Sequence, residues 1–470
     1  MIRIRSGAAS ALDNPQLQKN MSAVIRTALH SRDNSVAEVA NWETLRQYAH
    51  DVKEHTLARL DSYLEQLEER VVEQGGKVVW VENGEEALSF ITRLAHEKNM
   101  TKVVKSKTML GEEIHLNKGL EAAHIEPVET DLGEYIIQLA KETPFHIIAP
   151  ALHKSRQEVS DLFTEKVNMP PTDDVQQITA TARRILRAHF LTARLGITGV
   201  NFGVAETGTL VVVENEGNAR LSASVPEVHI ALMGIEKVIP RAADLSVFLK
   251  LLTRSATGQK ITSYVNFING PRRPEELDGP AEFYLVLIDN GRSKILADSF
   301  LRQTLACIRC GACLNVCPVY QRIGGHAYGS TYPGPIGAIL TPQLLSEEEA
   351  PEHPYASSLC GACHETCPVK IEIPHILLKL RERVQRKKND KASHIPLEKW
   401  SMQIWGWGMS SSRRFAWFAR LMRAAQGWFL KEKGSRIELP VLNGWTRHRD
   451  LPTIPKKSFR EVFKPEEKGN

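Results

Sequence analysis

Seven cysteines form two runs that each end in Cys-Pro, and they carry the clearest chemistry in the sequence. The runs are Cys307-x2-Cys310-x2-Cys313-x3-Cys317-Pro318 and Cys360-x2-Cys363-x3-Cys367-Pro368. Thiolates at three-residue steps can surround one face of an iron–sulfur cubane while the intervening backbone amides point at its sulfides. In two-cluster ferredoxins the fourth cysteine of such a run ligates the other cluster. The spacing therefore predicts a protein that handles electrons.

The crossover divides the seven thiols into two predicted ligand sets. The ligands predicted for the first [4Fe–4S] cluster are Cys307, Cys310, Cys313 and Cys367. Those predicted for the second are Cys317, Cys360 and Cys363. Ser357 aligns with the leading cysteine of the first run. The fourth iron of the second cluster is left to Ser357, His364, water or a partner's ligand, or is absent, which would leave a [3Fe–4S] cluster.

Zinc and disulfides are the alternative interpretations of these cysteines. Zinc favours two well-separated pairs in a tetrahedral set, and four cysteines at steps of three, three and four would overcrowd it. Disulfides require an oxidising compartment, and no signal peptide follows the first residues. Iron–sulfur clusters are the favoured interpretation.

Composition predicts a soluble cytoplasmic protein of several domains. The chain has 470 residues, of which 42% are hydrophobic, and this length suggests about two to four domains. Its apolar stretches are far shorter than the ~20 residues that a membrane-spanning helix requires. The formal charge of +5 is unevenly distributed, because residues 401–470 hold 14 Lys and Arg against 6 Asp and Glu.

The region before the cysteines reads as helix and then as an α/β domain. Leu57, Leu60, Leu64, Leu67 and Val71 form a helical apolar stripe that ends at Gly75-Gly76. A helix is predicted over 85–97. Strands alternating with helices predict a largely parallel sheet. The predicted strands are Val78–Val81, Lys102–Val104, Ile147–Ala149, Leu210–Val213, His229–Met233 and Phe283–Ile288. No GxGxxG motif occurs there, which disfavours a dinucleotide fold.

A glycine-rich loop, a strand and an acidic loop form a candidate ligand site in this domain. Backbone amides of glycines can approach an anion closely, and ligands of α/β sheets bind beyond the strand carboxyl ends. Lys105 and Lys107 follow another strand and could pair with a carboxylate or phosphate. Structural turns would have the same composition. The candidate residues are Glu206, Thr207, Glu214, Asn215 and Glu216.

Helical signals flank the cysteine runs, over 299–306 and 376–384, and predict a helical ferredoxin-type module. The tail beyond Lys387 holds six of the eight tryptophans among basic residues. It could contact an anionic membrane surface peripherally or dock an acidic partner. The simpler interpretation is a helical cap whose tryptophans are core. Nucleic acid is not predicted, because no binding motif accompanies the charge.

Several blocks of this sequence resemble the lactate utilization protein B family nearly end to end. They are Glu129–Glu134, Pro150–Lys154, Gly203–Gly208, Glu214–Asn218 and His229–Lys237. The resemblance implies a LUD domain with a NagB/RpiA/CoA-transferase-like α/β fold, an iron–sulfur module and a basic tail. It also implies that seven cysteines, with the eighth missing, is the family's own pattern. The expected parts are residues 1–70 (helical), 71–294 (LUD), 295–386 (α-helical ferredoxin-like) and 387–470 (helical basic tail).

The resemblance implies electron transfer in bacterial oxidation of L-lactate to pyruvate, together with lactate utilization proteins A and C. No flavin or nicotinamide signature occurs, so a stand-alone dehydrogenase is not expected. One alternative is an iron–sulfur subunit serving glycolate or glycerol-3-phosphate oxidation, although such subunits usually lack a LUD domain. Another is a sensor whose LUD domain binds a metabolite while the clusters report redox state.

Overall fold

Two β-sheets lie at the centre of the fold. This computed structural model describes residues 2–391, 397–429 and 454–463. The strands are β1 (Lys77–Val81), β2 (Lys102–Lys105), β3 (Glu126–Glu129), β4 (Leu195–Gly199), β5 (Phe202–Val204), β6 (Thr209–Glu214), β7 (Val228–Gly234), β8 (Val238–Ile239), β9 (Tyr264–Ile268) and β10 (Glu282–Ile288).

The larger sheet is parallel throughout, with strand order β1-β10-β7-β4-β2-β3. Its central strands are near-continuous apolar runs because helices cover both faces. Every residue of β7 is buried. The smaller sheet has the order β8-β5-β6-β9, in which β6 pairs antiparallel with both β5 and β9.

Helices account for most of the described chain. The first twelve are α1 (Ile4–Leu12), α2 (Pro15–Ala37), α3 (Trp42–Ala58), α4 (Leu60–Glu73), α5 (Gly84–Glu97), α6 (Met109–Glu113), α7 (Leu116–Ala122), α8 (Leu132–Ala140), α9 (Arg156–Val167), α10 (Val175–Thr192), α11 (Asn218–Ser224) and α12 (Ala242–Thr257). The next six are α13 (Arg292–Ala297), α14 (Ala312–Val316), α15 (Tyr320–Ile323), α16 (Gly334–Leu344), α17 (Ala362–Thr366) and α18 (Ile373–Lys391). Short 3-10 helices span Ile235–Lys237, Arg302–Ala306, His326–Tyr328 and His353–Tyr355.

Most of the predicted elements are confirmed. The N-terminal region is helical, and the apolar stripe of α4 is buried. The helix predicted over 85–97 is α5. The strands predicted at 78–81, 102–104, 229–233 and 283–288 are β1, β2, β7 and β10. The segment predicted as helix before the first cysteine run forms a 3-10 helix over Arg302–Ala306 only.

Two strand predictions need correction. Ile147–Ala149 is not a strand, because the amides of Ile148 and Ala149 donate to the Nδ1 atom of His146 instead of to a neighbouring strand. Leu210–Val213 is a strand, but it belongs to the smaller, mainly antiparallel sheet. A short apolar run shows burial in a sequence, but its hydrogen-bond partners depend on residues far along the chain.

One hydrophobic core joins the N-terminal helices to the cysteine-bearing segment. Met21 and Ile25 of α2 are buried in the same cluster as Cys310 and Cys313. Residues 1–384 form one compact unit. The helical N-terminus is therefore part of the support of the cysteine module.

Residues 385–470 form a second unit, whose described part contains α19 (Leu397–Met409), α20 (Ser412–Phe429) and a short helix at Phe459–Val462. Trp407 packs edge-on against Phe418, and the Arg414 guanidinium lies 4.8 Å from the Trp407 ring centroid. Four tryptophans, which only the cap interpretation placed in a core, are more than half exposed: Trp400, Trp405, Trp407 and Trp417. The Trp428 side chain and Trp445 lie outside the described residues.

No helix of the described ranges combines the length and the apolarity that crossing a bilayer demands.

A group of buried charges lies where β2 and β3 end. Lys105 is 1% exposed, and its Nζ atom lies 2.6 Å from Glu129 Oε1 and 3.4 Å from Glu112 Oε1. Glu134 of α8 is also buried, and its Oε1 atom has no hydrogen-bond partner among the described residues. Burial and the nearby Glu129 raise the pKa of Glu134 to about 8. Glu134 therefore holds a proton at neutral pH.

The raised pKa predicts a pH-dependent stability. The folded state binds the Glu134 proton more tightly than the unfolded chain, so this stabilisation is complete below about pH 4 and is lost as the pH rises through about 8. Between these limits the free energy of unfolding of the wild type should fall relative to Glu134→Gln by on the order of 5 kcal/mol. Anaerobic thermal unfolding at several pH values measures this. The exposed Glu121→Gln is the control, and parallel pH profiles for wild type and Glu134→Gln would contradict the assignment.

Candidate iron–sulfur centre and adjoining cavity

The two cysteine runs repeat one local structure at a spacing of 50 residues. Gly311 and Gly361 have φ angles of +81° and +87° at the starts of α14 and α17. Glycine adopts this left-handed conformation without a steric penalty. Each short helix then places a cysteine inside it and another at its carboxyl end, Cys317 or Cys367. The repeated turn and helix direct successive thiols to one side.

Backbone amides donate to the sulfur atoms, as cluster thiolates require. Arg309 N lies 3.4 Å from Cys307 Sγ, and Tyr320 N lies 3.5 Å from Cys317 Sγ. Ile371 N lies 3.4 Å from Cys367 Sγ. Hydrogen bonds to sulfur stabilise the added negative charge of a reduced cluster. The donor chemistry of this site therefore fits iron–sulfur clusters.

The electrostatic neighbours of the thiols form two main groups, with Cys313 affected by its own group first and by Cys363 last. The pKa of Cys310 is raised by burial and then by Cys367 and Cys307. The pKa of Cys363 is raised to about 12 by burial and then by Cys317 and Cys360. All seven cysteines are free thiols in this structure. Binding of a metal must displace protons from the buried sulfurs.

The second group lies nearer the surface. Cys360 is exposed and Cys307 is partly buried, whereas the other five cysteines are buried.

Arg46 of α3 supports the second run, because its Nη2 atom donates to the carbonyls of Cys367 at 2.8 Å and His364 at 3.3 Å. The N-terminal helices thereby hold the backbone that carries these thiols.

The candidates for the missing eighth ligand differ in their contacts. Ser357 Oγ accepts a hydrogen bond from Leu359 N at 3.1 Å, just as Cys307 Sγ accepts one from Arg309 N. The two amide donors have similar left-handed φ angles, +57° and +60°. His364 is engaged elsewhere, because its Nδ1 atom bonds the Ile371 carbonyl and its Nε2 atom faces Glu372.

A cavity of about 330 Å³ adjoins the cysteine module at the carboxyl edge of the parallel sheet. Thr108 follows β2, Val200 follows β4 and Arg292 follows β10, and all three line it. Arg309 and Cys310 of the first cysteine run complete the wall. Open α/β sheets bind ligands at this edge, so the cavity is a candidate binding site beside the first group of thiols.

The structure brings only part of the predicted ligand loop to this cavity. Glu214, Asn215 and Glu216 line it, whereas Glu206 and Thr207 do not. Glu206 instead accepts the Ala242 amide at 2.9 Å, and Thr207 Oγ1 bonds Thr209.

The lining carboxylates already have structural hydrogen bonds. Glu214 accepts from the amides of Ala219 and Arg220 at the start of α11. Glu216 accepts the amide of Leu132 at 3.0 Å. These contacts hold both carboxylates in the cavity wall.

Of the two lysines expected to supply positive charge, only one lines the cavity. Lys105 is neutralised by its ion pairs with Glu129 and Glu112 and does not line the cavity. Lys107 does line it and donates to the Ile148 carbonyl. Burial lowers the pKa of Lys107.

Sequence reasoning missed a second group of charged residues that borders the cavity, which is a buried network around Arg292. Arg292 Nε lies 2.6 Å from Glu236 Oε2, and its Nη atoms lie 2.8 and 2.9 Å from the Glu113 carboxylate. Arg309 Nη2 is 3.3 Å from Glu236 Oε1, and the Tyr332 hydroxyl donates to Glu113 at 2.6 Å. Within the sequence, only the position of Arg309 between two cysteines could have indicated this network. The other four residues are distant in sequence.

Family comparisons agree with this architecture. Residues 64–288 match the LUD domain, residues 303–371 the 4Fe-4S dicluster domain, and residues 379–468 the C-terminal domain of lactate utilisation protein B. The dicluster match supports iron–sulfur clusters over zinc. Lactate utilization protein B of Bacillus cytotoxicus is 47% identical over 442 residues, covering 93% of this chain and 92% of that protein. The Bacillus thuringiensis and Bacillus anthracis proteins have the same identity and coverage.

A solved structure of a DUF162 family protein from Deinococcus radiodurans is also similar, at 11% identity and a TM-score of 0.28. It covers 49% of this chain and 98% of its own. The extent and identity of the sequence matches, together with the cysteine module and the α/β domain, show that this chain belongs to the lactate utilization protein B family.

Proposed function

We propose that this chain is the iron–sulfur electron-transfer component of a cytoplasmic system that oxidises L-lactate to pyruvate. Its partners in this proposal are lactate utilization proteins A and C, and the α/β domain has a NagB/RpiA/CoA-transferase-like fold. The observation that carries the proposal is the double cysteine module within a chain 47% identical to proteins of lactate utilization. The chain acts as a subunit and not as a stand-alone dehydrogenase.

In this proposal Cys307, Cys310, Cys313 and Cys367 hold one [4Fe–4S] cluster. Cys317, Cys360 and Cys363 hold the other, with Ser357 at its fourth iron. When bound, the clusters supply one-electron redox chemistry. The mutual pKa effects within each group of thiols support this division. The exposure of Cys360 supports electron exchange with a partner at the second site, because transfer between proteins requires close approach.

The proposed function is tested by whether L-lactate reduces the clusters and thereby bleaches the iron–sulfur absorption. Mixed anaerobically with the purified A and C proteins, the iron-loaded chain should bleach on addition of L-lactate and not of glycolate or glycerol 3-phosphate. A deletion strain should fail to grow on L-lactate but grow normally on glycolate. Normal growth on lactate, or bleaching by glycolate alone, would refute the proposal. Absent bleaching, with transcriptional effects of the deletion instead, would favour the sensor.

Replacing the last cysteine of each run with serine tests whether that cysteine ligates the cluster held mainly by the other run. Cys367→Ser should remove the EPR signal of the cluster held mainly by the first run, because Cys367 neighbours Cys310 and Cys307 electrostatically. Cys317→Ser should remove the other signal. Iron analysis and EPR of the reduced proteins measure both losses. If each variant loses the cluster of its own run instead, the crossover assignment is wrong.

The substitution Ser357→Cys tests whether residue 357 lies at the position of the missing eighth cluster ligand. The new thiol should accept the Leu359 amide as Cys307 accepts that of Arg309, and it should complete a set of four thiolates. Iron content should rise to about eight per chain, and any [3Fe–4S] EPR signal in the oxidised protein should disappear. The substitution Ser358→Cys at the exposed neighbouring position is the control and should leave both readings unchanged. A Ser357→Cys protein indistinguishable from wild type would exclude this position from the second cluster.

A further inference from the structure

The cavity beside Cys310 has cationic groups with unused hydrogen-bonding capacity. Arg309 is 8% exposed at its side chain, and its Nη1 atom has no hydrogen-bond partner among the described residues. A buried donor without a partner destabilises the folded protein, because it has lost its hydrogen bonds to water. Lys237 also lines the cavity, where burial lowers its pKa to about 7, and its Nζ atom takes part in none of the ion pairs found within the described ranges.

The rest of this end of the cavity is already paired. Glu236 receives Arg292 at 2.6 Å and Arg309 at 3.3 Å, and Glu113 receives both Nη atoms of Arg292. The Glu236 carboxylate, which is the one that acts on Lys237, is thus shared between two guanidinium groups. A further anion would accept a hydrogen bond from Arg309 Nη1 and would stabilise the charged form of Lys237.

The opposite end limits how much negative charge a ligand can carry. Asp131, Glu214 and Glu216 line it, with Lys107 as the cation among them. A polyanion such as a nucleotide would meet these carboxylates. The intermediate walls include apolar side chains, among them Val200 and Leu252, and the buried Ser106 hydroxyl, which has no partner in the described part of the chain. This combination suits a small organic monoanion with a polar substituent.

We propose that the cavity binds a 2-hydroxy or 2-oxo monocarboxylate, whose carboxylate pairs with Lys237 and Arg309 beside the thiols of the first cysteine run. This assignment of the ligand class rests on the proposed function in lactate oxidation, whereas the binding of a small carboxylate rests on the cavity alone. A volume of about 330 Å³ lies at the lower end of the range for small-molecule pockets. The site is one of binding, and no electron or proton transfer to the ligand is assigned.

Anaerobic calorimetry on the iron-loaded full chain tests the proposal, with L-lactate, pyruvate and inorganic phosphate as separate probes. Lactate or pyruvate should bind saturably and change the EPR spectrum of the reduced protein. Lys237→Gln should weaken binding at least tenfold, Lys237→Arg should restore most of it, and the exposed Lys250→Gln should match wild type. Thr253→Phe, which fills the cavity without changing its charge, should also weaken binding. Iron content is measured for every variant.

Three results would overturn the proposal. One is the absence of saturable binding of both carboxylates to wild type. Another is binding of phosphate alone, which excludes the carboxylate class. The third is unchanged carboxylate binding in either Lys237→Gln or Thr253→Phe. If Lys237→Gln shifts the EPR spectrum while added carboxylate has no effect on wild type, Lys237 only compensates cluster charge.

The binding test and the test of function can fail separately. Lactate-driven bleaching with no binding to the isolated chain would leave the electron-transfer role intact and remove this site. Saturable carboxylate binding without bleaching would keep the site and remove the role in lactate oxidation.

Discussion

The fold of residues 1–384 depends on a buried network of charges centred on Glu236. Arg292 and Arg309 both pair with its carboxylate, and Lys53 of α3 donates to its backbone carbonyl at 2.6 Å. Burial alone would raise the pKa of Glu236, but the two arginines lower it to about 2, so it stays charged. Removing one partner of a buried ion pair costs about 3–5 kcal/mol. The network therefore requires the N-terminal helices, the α/β domain and the cysteine module to remain docked.

This docking changes the carboxyl edge of the parallel sheet. In an open α/β sheet that edge is a solvent-facing crevice, but here Arg309 and Cys310 form one of its walls. Whatever binds in the crevice consequently lies next to the first run of thiols. The α/β domain and the iron–sulfur module line one cavity, although each matches its own family model over separate residues.

The two groups of thiols face different surroundings despite their repeated local structure. Both groups pack in the core shared with α2, but only the group around Cys310 includes a cysteine that lines the cavity. The group around Cys363 includes Cys360, which is exposed. Solvent exposure and hydrogen bonds to sulfur are the main ways in which a protein adjusts cluster potentials. One module of repeated sequence can thus present a sheltered end and an accessible end.

The sequence by itself determined the features that depend on neighbours a few residues apart. The thiol spacing indicated the iron–sulfur chemistry, and the periods of helix and strand located α5 and four of the six strands of the parallel sheet. Tertiary structure alone decided which charged side chains meet. Glu113, Arg292 and Tyr332 come together from distant segments, and Glu206 lies away from the cavity that Glu214 lines. Local patterns record burial and spacing, whereas contacts between remote residues form only when the whole chain packs.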